Sequence, residues 1–176
     1  MFEKVLAAPA DPILGLTEEF KKDSRAEKIN LGVGIYKNEA GQTPVLKTVK
    51  KAEAALLESE KTKSYLTIEG TAEYGLAVQK LLFGSDAEIV TSQRAKTAQA
   101  PGGTGALRVA GEFIKRQLGD AKIWISNPTW ANHNGVFAAA GIETAQYSYY
   151  NAETKDKDFA GMVADLEKAS EGDIVL

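Results

Sequence analysis

The 176-residue sequence contains no cysteine, which excludes disulfide bonds and metal sites built on thiolates. Its single histidine, His133, excludes a metal site that needs several histidines of this chain, and we expect no bound metal. No apolar run approaches the ~18 residues that cross a membrane, and the N-terminus lacks the basic and apolar segments of a signal peptide. These absences predict a cytoplasmic protein that does not contact a membrane.

An excess of charge of one sign is also missing, since 21 Lys and Arg residues stand against 24 Asp and Glu residues. No basic run or stripe is visible, and we therefore expect no nucleic-acid partner. Hydrophobic residues make up 44% of the chain, which is enough for one buried core. Residues 172–176 predict a turn and the opening of a buried strand, so we expect a fragment of a longer protein.

The hydrophobic pattern from residue 94 onward alternates between strand and helix periods. Strands are predicted over 94–100, 121–126 and 142–149, and from residue 174. Helices are predicted over 104–118 and 131–140, and after Asp158. This order is typical of an α/β layer with parallel strands and right-handed crossovers.

Three further helices are predicted before residue 94. The first starts at Asp11-Pro12, because aspartate is a good N-cap and proline suits the first helical position. The second covers 45–58 and the third follows Thr71, and we expect each to bury an apolar face. Two glycines interrupt the apolar stretch 29–36 and predict an irregular extended segment there.

A glycine pair, Gly102 and Gly103, falls where the first of the alternating strands gives way to a helix. Helix N-termini carry unpaired N–H groups and a positive dipole end, and glycine lets an anion approach them. Thr104 adds a hydroxyl, so a phosphate site is one interpretation and a plain tight turn is the other. The turn 127–130 follows the next strand, and parallel strands end at the same edge, which favours the phosphate site.

The spacing of the glycines narrows the choice of phosphate ligand. The dinucleotide pattern GxGxxG and the triphosphate pattern ending in GK[ST] are both absent, which weighs against a nucleotide-binding domain. A phosphate monoester on a flat ring fits better, because Trp130 in the neighbouring turn could stack on a ring. Core packing is the alternative for Trp130, and a surface or core position is the alternative for His133.

Four segments resemble the class I aspartate aminotransferases in their order and spacing. They are NLGVGIY (30–36), YLTIEG (65–70), PGGTGAL (101–107) and NPTWANH (127–133). The resemblance covers the whole chain and is strongest to bacterial aspartate and aromatic aminotransferases. It implies an α/β fold of the fold-type I, pyridoxal-phosphate-dependent transferases, with a three-layer α/β/α large domain. Residues 1–44 would form the N-terminal arm and a small-domain segment, and residues 45–176 the first part of the large domain.

The resemblance also implies roles in holding pyridoxal 5′-phosphate (PLP). The turn at Gly102, Gly103 and Thr104 would bind the cofactor phosphate. Trp130 would stack on the cofactor ring and help to bind the substrate carboxylate. His133 would lie behind the acidic residue that pairs with the pyridine nitrogen.

Other implied contacts involve the substrate and a second subunit. The backbone of Gly34 would contact the α-carboxylate of the substrate. Tyr65 would reach the cofactor phosphate across the interface of a homodimer, and residues 1–10 would embrace the partner subunit. The lysine that forms the Schiff base would lie beyond Leu176, so we expect no catalytic residue in this chain and no activity of the chain alone.

The implied reaction moves the amino group of an amino acid to a 2-oxo acid. Lys37 and Thr104 resemble the aspartate branch, which favours transfer from L-aspartate to 2-oxoglutarate. An aromatic amino acid aminotransferase of the same family is an alternative. A non-catalytic fragment that binds a phosphate compound or dimerises is another.

Overall fold

The computed structural model describes residues 3–4, 12–30, 32 and 34–176, with side chains in the first helix from Gly15 onward. The chain divides into two compact units, Met1–Lys63 and Ser64–Leu176. The predicted domain boundary after residue 44 lies within the first unit and stays a prediction. The expected N-cap Asp11 and most of the expected N-terminal arm lie outside the described residues.

Among its described residues, the first unit contains two helices, α1 (Pro12–Lys22) and α2 (Lys47–Ser59). Pro12 starts α1 as predicted, and α2 lies within two residues of its predicted range of 45–58. The expectation that α2 buries an apolar face is wrong for this chain, because none of its residues is buried and Leu57 is 86% exposed. The helical period identifies the shared face, but burial also needs a covering surface.

The second unit contains five helices and five short strands among its described residues. In chain order they are α3 (Ala72–Phe83), α4 (Glu88–Thr91), α5 (Gly102–Leu118), β1 (Ile123–Asn127), α6 (Ala131–Ala139), β2 (Thr144–Ser148), β3 (Tyr150–Asn151), β4 (Asp156–Lys157), α7 (Phe159–Leu166) and β5 (Ile174–Val175). Thr71 caps α3 by accepting a hydrogen bond from Tyr74 N, and Asp158 caps α7 through Gly161 N. None of the helices in the described ranges is long and apolar enough to cross a membrane.

The central sheet has the strand order β2-β1-β5, and both pairings are parallel. Ile123 pairs with Thr144 on one side and with Ile174 on the other. The core cluster joins this sheet to α6 through Ile123, Ile125, Phe137, Ala140 and Ile142. Leu107 and Ile114 of α5 pack against the same cluster, so α5 and α6 are held at fixed positions on the sheet.

The predicted strand over 94–100 is not formed. These residues have no regular secondary structure. Within the described residues, Ala95 N donates to the Ile89 carbonyl oxygen at 3.2 Å and Gln99 N donates to the Glu69 carbonyl oxygen at 2.8 Å. A strand needs a neighbouring strand for its ladder, and no strand of the second unit lies beside this segment. The strand prediction from the alternating pattern is therefore wrong for this segment.

The structure departs from the sequence patterns at two smaller points. β3 and β4 form an antiparallel pair, in which Tyr150 lies opposite Lys157, where no strands were predicted. The apolar face of α3 is largely exposed, with Leu81 at 85%. Gly75 is the buried residue of α3, and it packs against Thr97 of the segment 94–100.

Candidate functional site

The N-terminus of α5 is open to an incoming anion. Gly102 has a φ of +69°, and the residue before it, Pro101, provides no side-chain cap for the helix. A Cβ atom added at Gly102 or at Gly103 would meet no atom within 4 Å. The first N–H groups of a helix have no partner within the helix, and a left-handed residue next to a helical one turns such groups into a concave site. This geometry fits a phosphate group.

The segment that leads into α5 is fixed by the turn at residues 67–70. Gly70 has a φ of +89°, and a Cβ atom there would lie 2.6 Å from the Cβ of Gln99. Thr67 Oγ1 donates to the Gly70 carbonyl oxygen at 2.5 Å, which closes the turn. The contact with Gln99 and the bond from Gln99 N to Glu69 set the position of the chain just before Gly102.

A second turn connects β1 to α6 and presents an indole ring. Ser126 Oγ donates to the Pro128 carbonyl oxygen at 2.9 Å and holds the turn at the end of β1. Trp130 is the N-cap residue of α6 and is 44% exposed, so it is not a core residue. The ring of His133 meets it edge-on at 5.3 Å between centroids, and His133 Nδ1 lies 2.8 Å from Thr129 Oγ1.

One side-chain hydrogen bond joins the N-terminus of α5 to the N-terminus of α6. Asn132 Nδ2 in α6 donates to Thr104 Oγ1 in α5, at 3.4 Å. The structure therefore gathers Thr104, Trp130 and His133, three of the predicted site residues, at the ends of neighbouring helices. The turn between β1 and α6 supplies a flat aromatic surface, and the N-terminus of α5 supplies N–H and hydroxyl donors.

Two other predicted site residues, Tyr65 and Gly34, belong to other parts of the chain. Tyr65 lies at the start of the second unit and is fully exposed at 105%, so it packs against none of the described residues. Gly34 lies in the first unit and is exposed, and a Cβ atom there would meet nothing within 4 Å. The roles of both residues stay predictions.

Two carboxyl groups next to the sheet have lowered pKa values. The ammonium group of Lys168 holds the pKa of Asp165 well below the usual aspartate value, and hydrogen bonds from the hydroxyl and N–H of Ser148 lower it further. The indole N–H of Trp124 and the N–H of Ser170 lower the pKa of Asp173. Asp165 secures the end of β2 and Asp173 the start of β1, so both carboxylates support the sheet that carries the two turns.

A cavity of ≈ 730 Å³ lies along one side of α5. Its walls are α5 and the segment before it, and Val109 and Phe113 give it a largely apolar lining. Lys96, Thr97 and Glu69 are the polar residues of its lining. In the described part of the chain, no group of three or more metal-ligating side chains comes together.

The comparisons with known proteins decide the family. The family model "Aminotransferase class I and II" matches residues 26–176. The chain belongs to the class I and II aminotransferases. The predicted α/β fold and the resemblance are therefore confirmed. At the family level, this makes the two turns candidates for the cofactor site of an aminotransferase.

Individual aminotransferases are similar over the whole chain. It is 55% identical to the aspartate aminotransferase of Haemophilus influenzae and 53% identical to that of Escherichia coli, over 100% of this chain and 44% of each relative. The aromatic-amino-acid aminotransferase of Burkholderia pseudomallei, solved covalently bound to pyridoxal phosphate, superposes with a TM-score of 0.91 at 46% identity, over 99% of this chain and 44% of that one. The chain thus spans less than half the length of these relatives.

Sequence reasoning did not single out Asn132 or the contact of Gly70 with Gln99. Asn132 stood within the segment 127–133, and its polar side chain at the start of a helix was the available signal. Gly70 carried a weaker signal, because a lone glycine before a helix cap is common. Both contacts depend on segments that are distant in sequence.

Proposed function

We propose that the chain is the N-terminal part of a PLP-dependent aspartate aminotransferase, which moves the amino group of L-aspartate to 2-oxoglutarate. The observation that carries this proposal is the open, glycine-lined N-terminus of α5, joined through Thr104 and Asn132 to the turn that presents Trp130. The names of the aspartate aminotransferases that are 55% and 53% identical support the choice of reaction.

The residues of both turns fit a phosphate monoester on an aromatic ring. The N–H groups at Gly102 and Gly103 and the hydroxyl of Thr104 would donate to the phosphate oxygens. The exposed indole of Trp130 would cover one face of the ring and keep water from it. His133, which Thr129 fixes through Nδ1, would orient groups behind the ring. When bound, PLP supplies the electron sink that amino-group transfer requires.

Contributions from outside this cluster complete the proposed site. The exposed Tyr65 would donate to the cofactor phosphate of a partner subunit in a homodimer. The backbone of Gly34, with no side chain in the way, would approach the α-carboxylate of the substrate. The reaction partners are an amino acid and a 2-oxo acid, and we place the protein in the cytoplasm.

The aromatic amino acid aminotransferases supply the second candidate function. An aromatic-amino-acid aminotransferase of Pseudomonas aeruginosa is 46% identical over 99% of this chain, close to the 47% of an aspartate aminotransferase of the same organism. The residues Lys37 and Thr104 favour aspartate. The third candidate, a non-catalytic binding or dimerising fragment, would keep the phosphate site without the reaction.

The experiment compares two amino donors with the full-length protein. Purified protein, saturated with PLP, is assayed for glutamate formation from 2-oxoglutarate with L-aspartate or with L-phenylalanine. We expect a higher kcat/KM for aspartate. A higher kcat/KM for phenylalanine would support the aromatic aminotransferase instead, and PLP binding with no glutamate from either donor would support the non-catalytic candidate.

A further inference from the structure

The side chain of Asn132 meets the hydroxyl of Thr104 from the side of α6. Its amide nitrogen donates to Thr104 Oγ1 at 3.4 Å, and Asn132 itself is half-buried at the crossing of α5 and α6. Within the described residues, this is the one side-chain hydrogen bond of Thr104. The core contacts of Leu107 and Phe137 hold the two helices at this crossing.

The direction of this hydrogen bond determines what the hydroxyl can do next. A threonine hydroxyl has one proton and two lone pairs. Because Asn132 donates, it occupies a lone pair of Thr104 and leaves the single proton of the hydroxyl for another acceptor. Thr104 lies in the first turn of α5, where Gly102 and Gly103 leave the space at the start of the helix open.

We propose that Asn132 is a positioning residue that makes the Thr104 hydroxyl a donor toward the cofactor phosphate. A phosphate offers only acceptors, so a hydroxyl whose proton points to another partner would repel it with its lone pairs. Asn132 prevents this arrangement without touching the phosphate. The proposal rests on the proposed function, in which Thr104 binds the phosphate of PLP.

The test is a double-mutant cycle on the full-length protein, read as cofactor affinity. The apoprotein is titrated with PLP and, in parallel, with pyridoxal, which lacks the phosphate. The variants are Asn132→Ala, Thr104→Val and the combination of both. We expect Asn132→Ala to raise the Kd for PLP about three- to tenfold, as the loss of one neutral hydrogen bond would. In the Thr104→Val background, the same change should have no further effect.

A near-isosteric variant removes the dependence on a truncated side chain. Asn132→Asp keeps the volume of the side chain but presents an acceptor, which would take the proton of Thr104 and repel the phosphate. It should weaken PLP binding more than Asn132→Ala does. Asn134→Ala and Asn134→Asp, at an exposed position of the same helix, control for helix stability and for the added charge.

The outcomes separate this inference from the proposed function. Asn132 variants that fold and bind PLP as tightly as wild type would overturn the inference. An equal loss of affinity for PLP and for pyridoxal would overturn it as well, because Asn132 would then act structurally. The same holds if Asn132→Ala weakens PLP binding equally in the wild-type and Thr104→Val proteins. If the wild-type protein binds neither PLP nor pyridoxal, the proposed function itself fails.

Discussion

Replacing Gly103 by alanine should separate the stability of α5 from its ability to bind phosphate. A Cβ atom at this position meets no atom within 4 Å, and Gly103 has no positive φ, so the helix accepts the methyl group. Alanine is favoured over glycine in helices by roughly 0.5–1 kcal/mol. The melting temperature of the apoprotein should therefore stay unchanged or rise slightly.

The same methyl group occupies the space through which the anion reaches the backbone. Displacing the phosphate from one N–H donor would remove a charge-assisted hydrogen bond, which contributes about 1.5–3 kcal/mol. The Kd for PLP of the full-length Gly103→Ala protein should thus rise by about 10- to 100-fold, at an undiminished melting temperature.

The assay is an absorbance titration of the apoprotein with PLP, together with thermal unfolding of the same samples. Gly15→Ala is the matched control, because Gly15 lies in helix α1 and a Cβ atom there also meets nothing within 4 Å. It should show the same small gain in stability and no change in PLP affinity. A folded Gly103→Ala protein that binds PLP like wild type would refute the placement of the phosphate at this helix end.

Three further predictions concern the support of the site, each measured by urea denaturation of the full-length protein. Gly70→Ala should lower the free energy of unfolding by about 1–3 kcal/mol, because its Cβ would lie 2.6 Å from that of Gln99. Gly84 has a similar φ of +92° but open space around it, so Gly84→Ala should lower the free energy of unfolding by less. Equal decreases for the two variants would contradict the packing argument. Asp165 has a lowered pKa, so its stabilisation is present above the ordinary aspartate pKa of about 3.9 and is lost as the pH falls further. Stability should therefore fall less steeply toward acid in Asp165→Asn than in wild type, and parallel curves would refute this role. Ile125→Ala should cost about 2–5 kcal/mol and Ile125→Val about 0.5–1.5, since Ile125 is fully buried, and a loss below 1 kcal/mol for alanine would contradict its place in the core.

The helices and the parallel sheet were predictable because their patterns are local. The glycines at 102 and 119 bracket α5, and its apolar residues recur at the helical period between them. The alternation of strands and helices predicted the parallel pairing of β1 with β2, because a crossover through a helix brings the next strand back in the same direction. The open helix end followed from the same local pattern.

The predictions from the sequence were wrong or incomplete where the structure depends on a partner that is distant in sequence. The segment 94–100 has the alternating pattern of a strand, but no described strand pairs with it. The apolar faces of α2 and α3 were identified from the sequence, whereas the surface that would cover them was not part of the pattern. The bond from Asn132 to Thr104 links residues 28 positions apart and depends on the crossing of two helices.

A crystal structure of the full-length protein with PLP tests the central claim most directly. The account predicts phosphate oxygens within about 3 Å of the backbone nitrogen of Gly103 and of the hydroxyl of Thr104, with the indole of Trp130 against the cofactor ring. A phosphate bound elsewhere, with the N-terminus of α5 facing only water, would contradict it.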